Sequence, residues 1–102
     1  MTASSSPRDR TKNALHLTLF VAGTTGKSMT AMANLKRLRA EWLPAHCTVE
    51  VIDLLQNPAL AKAHEIFALP TLLRLGAGPT RRILGDLSDT KRVLAALGLP
   101  SA

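Results

Sequence analysis

Residues 15–28 read LHLTLFVAGTTGKS, and the organisation of the chain turns on whether this segment cradles a phosphate or turns a strand into a helix. Leu15, Leu17, Leu19 and Val21 alternate with His16, Thr18 and Phe20, which is the period of a β-strand. The tail of the segment ends in Gly-Lys-Ser, and Asp53 closes a later β-like run, as in a nucleotide-binding ATPase. The phosphate cradle, however, needs G-x-x-x-x-G-K-[ST], because four intervening residues supply the N–H groups that wrap the phosphate. Gly23 and Gly26 are two residues apart, and Val21 stands where the first glycine belongs. The residue types match and the spacing does not, so the segment reads as a turn from strand to helix.

Size agrees. At 102 residues the chain holds one domain with a single core, less than the sheet and helices of a P-loop ATPase need. No apolar run approaches the length of a membrane span. The first thirteen residues, MTASSSPRDRTKN, lack the apolar centre of a secretory signal and read as a disordered polar tail, with the domain over 14–102. A soluble, cytoplasmic protein is expected. Its net charge of +6 suits an acidic partner such as nucleic acid. Three aromatic residues, Phe20, Trp42 and Phe67, lie outside any basic cluster, which disfavours a base-stacking surface.

From Ser28, Met29, Met32, Leu35, Leu38 and Trp42 recur at helical spacing with Lys36, Arg37 and Arg39 between them, so an amphipathic helix is expected to end near Pro44, with the methionines as core filler. The run CTVEVIDLL (47–55) is a second strand, rich in β-branched residues. A helical crossover between the two strands makes them parallel. Asn57 before Pro58 signals a helix start with the Asn side chain as cap, running to about Phe67. ALPTLLRL (68–75) and TRRILG (80–85), joined by a Gly-Ala-Gly-Pro turn, form a hairpin. Ser88 is expected to cap a last helix with Asp89 in its first turn, Val93, Leu94 and Leu97 buried, and Gly98 then Pro100 ending it. The order βαβ–αββα defines an α/β, thioredoxin-like fold with a mixed four-stranded sheet and three helices. Pro70, at the mouth of the third strand, is expected to be cis in that fold.

Candidate chemistry is sparse. His16 has no second histidine near it, and His64 reads as a surface residue without a nucleophile to serve. The lone Cys47 forbids an intramolecular disulfide and any CxxC motif, and reads as a buried inert thiol. Redox exchange in this fold needs a thiolate at the N-terminus of the helix after the first strand. Thr24, Thr25, Gly26 and Lys27 supply none. No catalytic residue, cofactor or metal ligand is assigned.

Four segments, LTLFVAGTTGKS, VEVIDLLQNPALA, ALPTLLRL and RRILGDLSDTKRVLAALGL, resemble the KaiB family of circadian clock proteins. That family reads close to LYVAGNTPNS, KVIDVLKNPQLA, ATPTL and RRIIGDLSDREKVLIGLD in the same order. The resemblance implies a non-enzymatic regulator that binds the ring ATPase KaiC, competes with the KaiB-like sensor domain of a clock histidine kinase, and sequesters KaiA where present. It also implies fold switching between a thioredoxin-like monomer and a rearranged, tetrameric state, so homo-oligomers stay open. The expected partner surface is the second strand and second helix, with Glu50, Asn57, Lys62 and Glu65. Lysine is common in the family at the first and last of these, and two charge reversals imply an altered partner, as in a homologue tied to stress or signalling through a divergent KaiC. The acidic tail of the family is missing. Ala96 and Gly98 stand where the family has glycine and aspartate, and both favour a final helix and hence the thioredoxin-like state. A basic nucleic-acid-binding domain and a thioredoxin-related redox protein are the alternative readings.

Overall fold

In the computed structural model, which describes residues 15–44, 47–76 and 79–99, four strands and three helices follow the expected order. They are β1 (Leu15–Val21), α1 (Gly26–Glu41), β2 (Thr48–Asp53), α2 (Ala59–Ala63), β3 (Thr71–Gly76), β4 (Arg81–Leu84) and α3 (Thr90–Leu97). The polar segment 1–13, read above as a disordered tail, lies outside the described residues, as does Pro100. The sheet order is β2-β1-β3-β4. β1 runs parallel to β2 and antiparallel to β3, and β3 and β4 form the hairpin.

Two apolar layers result. On one face Leu15, Leu17, Leu19 and Val21 meet Ala31, Leu35 and Leu38 of α1, and Val93, Leu94 and Leu97 of α3. On the other, Phe20 packs with Leu54, Ile66 and Leu73, and α2 adds Leu60 and Ala61. β1 is thus buried on both faces, with His16 its one exposed side chain. The Leu69–Pro70 peptide bond is cis.

Helix α1 buries Leu35 and Leu38 of the expected stripe, but its first two turns present Ser28 and Ala31, one position before Met29 and Met32. Its buried residues are Ser28, Ala31, Leu35 and Leu38, while Met29, Met32 and Trp42 are 50%, 36% and 38% exposed. A shift of one position turns a helix by about 100°, and the small Ser28 and Ala31 let the backbone approach the sheet. Helix α2 is also shorter than expected. It ends at Ala63, and Pro58, not the Asn57 side chain, stands at its start without a side-chain cap. Asn57 donates its N–H to the Asp53 carbonyl, and the N–H groups of Leu60 and Ala61 go to backbone oxygens three residues back. The Leu60 N–H that an Asn57 cap would take is thereby already bonded. The helix closes by the Ile66 N–H on Ala61 O (2.7 Å) and the Glu65 N–H on Lys62 O (3.2 Å), with Glu65 at φ 55°; this pairing ends a helix on a left-handed residue.

The last helix starts one residue later than expected. Asp89, not Ser88, caps α3 by accepting from the Arg92 N–H. The Ser88 N–H is held by Asp86 Oδ1 at 3.1 Å, which fixes Ser88 in the preceding turn. Gly98 closes the helix at φ 76°, ψ 26°, where its lack of a Cβ removes the left-handed penalty. Arg74 donates to Leu97 O at 3.3 Å and Pro79 O at 2.8 Å, placing a positive charge at the negative end of α3.

Leu94→Ala is expected to cost about 2–5 kcal/mol in chemical denaturation, as for a fully buried leucine, whereas Met29→Ala stays within about 0.5 kcal/mol. Ala96→Gly, in the interior of α3, is expected to cost roughly 1 kcal/mol and to reduce the helical secondary shifts of residues 90–97.

Candidate functional site

The loop after β1 occupies the redox position of the thioredoxin fold, and side chains of Asp53, Ser28 and Thr25 fasten it. Asp53 Oδ1 accepts the N–H of Gly23 at 3.0 Å and of Leu55 at 2.9 Å. Ser28 Oγ accepts from Ala22 N at 3.0 Å, and Thr25 Oγ1 from Ser28 N at 3.4 Å. Asp53 is therefore a fastener of the loop, and the Gly-Lys-Ser segment is a capped helix start. Cys47 sits at the opposite end of the sheet, because β2 is parallel to β1 and Cys47 precedes it. It is buried and free. Burial pushes its thiol pKa up, and the nearby Arg39 guanidinium opposes this only in part. Among the described residues, no group of three His, Cys, Asp or Glu is placed to hold a metal ion.

A different surface carries four of the exposed apolar side chains. Leu55, Phe67, Leu69 and Leu84 are 69%, 92%, 38% and 64% exposed. A bare aromatic ring on a small domain is costly in water, and a cluster of such side chains marks an interaction site. Phe67 stands between two shallow grooves. One, of about 370 Å³, runs over Leu54, Leu55, Pro58, Ala61, Ile66 and Leu69; the other, of about 230 Å³, reaches Thr71, Arg82 and Leu84. The left-handed Glu65 and the cis Leu69–Pro70 bond flank the segment that presents Phe67.

The expected partner residues surround this patch unevenly. Lys62 and Glu65 lie on and just past α2, and Asn57 just before it, all exposed. Glu50 is exposed on β2, in register with Thr18 on the α2 side of the sheet. Among the described residues, no hydrogen bond or ion pair joins Glu50 to the other three. Glu65 is not a free charge: Arg82 Nη2 lies 3.5 Å from its Oε1 and donates to the His64 carbonyl at 3.1 Å. His64, read as a surface residue, is half-buried, with its ring 5.4 Å from that of Phe20. The sequence reading missed Leu55, Phe67, Leu69 and Leu84. Periodicity marks them as core, and only the early end of α2 leaves Phe67 outside it.

A mixed sheet with cis-proline at the mouth of β3 and no thiol after β1 defines a thioredoxin-like domain without the thiol of a redox enzyme. Similarity to solved structures agrees: Fasciola hepatica thioredoxin aligns with a TM-score of 0.71 at 20% identity, covering 90% of this chain and 86% of that one. The N-terminal domain of Synechococcus elongatus SasA aligns with a TM-score of 0.67 at 24% identity, covering 87% and 88%. Within that fold class the chain belongs to the KaiB family, whose KaiB domain matches residues 18–99. Relatives named circadian clock oscillator protein KaiB include that of Prochlorococcus marinus (strain MIT 9313), 46% identical over 83 residues, 81% of this chain and 70% of that one. The protein of that name in Microcystis aeruginosa (strain NIES-843 / IAM M-2473) is 42% identical over 88 residues, 86% and 85% of the two chains.

With its thiol buried and its pKa raised, Cys47 is expected to react with iodoacetamide at neutral pH about tenfold or more slowly than in the urea-unfolded chain, read by mass spectrometry. Equal rates would show an accessible thiol.

Proposed function

We propose that this chain is a non-enzymatic regulatory protein of the cytoplasm that docks on a KaiC-type, RecA-like ATPase ring. The observation that carries the reading is the exposed Phe67 patch beside α2, in a chain of the KaiB family. Phe67 supplies the buried aromatic anchor that dominates docking energy in many interfaces. Glu50, Asn57, Lys62 and Glu65 form the polar rim, which sets partner choice and encounter rate. Glu65 already pairs with Arg82, so Glu50 presents the more available negative charge and calls for a basic counterpart on the ring. Membership of the KaiB family supports competition with a histidine-kinase sensor for one seat on the ring. The helical conformation of residues 90–97 and the left-handed Gly98 support a resting state that is thioredoxin-like and competent to dock.

Isothermal calorimetry against the KaiC-type ATPase of the source organism tests the reading. Phe67→Ala is expected to weaken binding about tenfold or more, and Glu50→Lys to change it more than Glu65→Lys. Unchanged affinity in all three variants removes this surface from the contact. Absence of binding by the unaltered chain rejects the ring as partner, and phosphate release from ATP by the chain alone rejects the non-enzymatic role.

A further inference from the structure

The sheet ends at β4 with one side unpaired. The Gly85 N–H donates to the Pro70 carbonyl at 3.0 Å. In the alternating antiparallel ladder this places the exchanged bonds on the Leu72–Ile83 and Arg74–Arg81 pairs, so the N–H and C=O groups of Arg82 and Leu84 are aimed away from β3. A groove lies on each side of this edge. On the α3 side a groove of about 490 Å³ is floored by Ile83, Leu87, Val93 and Ala96 and rimmed by Asp86 and Arg92. On the α2 side the groove of about 230 Å³ joins Leu84 to Phe67 and Ile66.

We propose that β4 is a docking strand for an extended partner segment in which acidic and apolar side chains alternate. The edge supplies two donor–acceptor pairs, at Arg82 and Leu84, that an added strand satisfies. Successive side chains of that strand fall on opposite faces of the sheet. Those on the α2 side enter the apolar groove between Leu84 and Phe67. Those on the α3 side meet Arg81, which shares that face with Arg74, and Arg92 on the rim.

Charge selects the occupant. On the α3 face of the edge Arg74, Arg81 and Arg92 outnumber Asp86 and Asp89, each of these carboxylates already accepts a backbone N–H, from Ser88 and Arg92 respectively, and on the α2 face Arg82 is paired with Glu65. A second copy is disfavoured, because pairing β4 with its own equivalent gathers Arg81 and Arg82 of both strands along one seam. The other free edge, β2, carries Glu50 and Asp53 and repels an acidic strand. This surface lies beyond the β2–α2 rim of the ring-docking reading, sharing with it Phe67, Leu84 and the Glu65–Arg82 pair, and either proposal stands if the other fails.

The test uses the full chain, isotope-labelled, titrated with a capped heptapeptide of alternating valine and glutamate and with its valine–lysine counterpart. The expected result is saturable binding of the glutamate peptide, the largest amide shifts at Arg82 and Leu84, and slowed hydrogen exchange at both. Arg92→Glu, exposed on α3, is expected to weaken binding about threefold or more. Leu84→Pro, which removes the outward N–H together with the leucine wall of the groove, is expected to abolish it. Equal binding of both peptides, shifts confined to Thr48–Asp53, no binding at millimolar peptide, or self-association of the chain through β4 each overturns the proposal. These readouts need no ATPase ring, so they are independent of whether ring docking holds.

Discussion

Burial of β1 on both faces is the constraint on which the rest of the structure depends. A strand covered on one side tolerates alternation with polar residues, but this one places Leu17 and Leu19 against one layer and Phe20 against the other, each at most 1% exposed. Two coverings are therefore needed, and the chain supplies α1 and α3 for one face and α2 for the other. The lateral neighbours follow from the same need. A strand whose side chains are covered twice can have no unpaired backbone, so β2 and β3 both bond to it.

The two coverings are unequal, and the exposed apolar patch lies at the weaker. α1 is sixteen residues long and α3 eight, whereas α2 has five and no buried residue of its own. So short a helix covers only part of its face, and the chain leaves it through a left-handed Glu65 held by Arg82. A left-handed conformation at a residue with a Cβ costs roughly 1–2 kcal/mol and persists because the Ile66 and Arg82 bonds to the helix end fix it. Its consequence is the direction of the next segment. Ile66 turns into the core at 8% exposure and Phe67 outward at 92%. The apolar patch is thus a product of where the small helix stops.

The same arrangement explains why a sequence with a lysine and glycines at a helix start carries no phosphate cradle. Asp53 from the neighbouring strand and Ser28 from the helix take the N–H groups of Gly23 and Ala22, and the glycine spacing is too short to wrap a phosphate. The position that other proteins of this fold give to redox chemistry is spent on fastening loop to sheet. What remains for function is surface: an apolar patch rimmed by charge, and a sheet edge with a groove on each side.

The sequence by itself determined the elements and their order. The period of two in residues 15–21, the helical spacing after Ser28, the turn residues between the last two strands and Gly98 after the final helix are local signals, set by backbone stereochemistry and side-chain alternation. Four motifs in order also made the family legible. What only the tertiary structure decided is which members of each apolar set face inward. Spacing marks Met29, Met32 and Trp42 as one stripe of α1, yet close approach to the sheet favours the stripe of Ser28 and Ala31, because small side chains let the helix lie nearer to it. Local preference likewise offers Asn57 and Ser88 as caps, but turns fastened by Asp53 and Asp86 hold them in other roles. Phe67 shows the limit most plainly, since a phenylalanine near a helix end reads as core and its exposure depends on a left-handed residue two positions earlier that no local pattern announces.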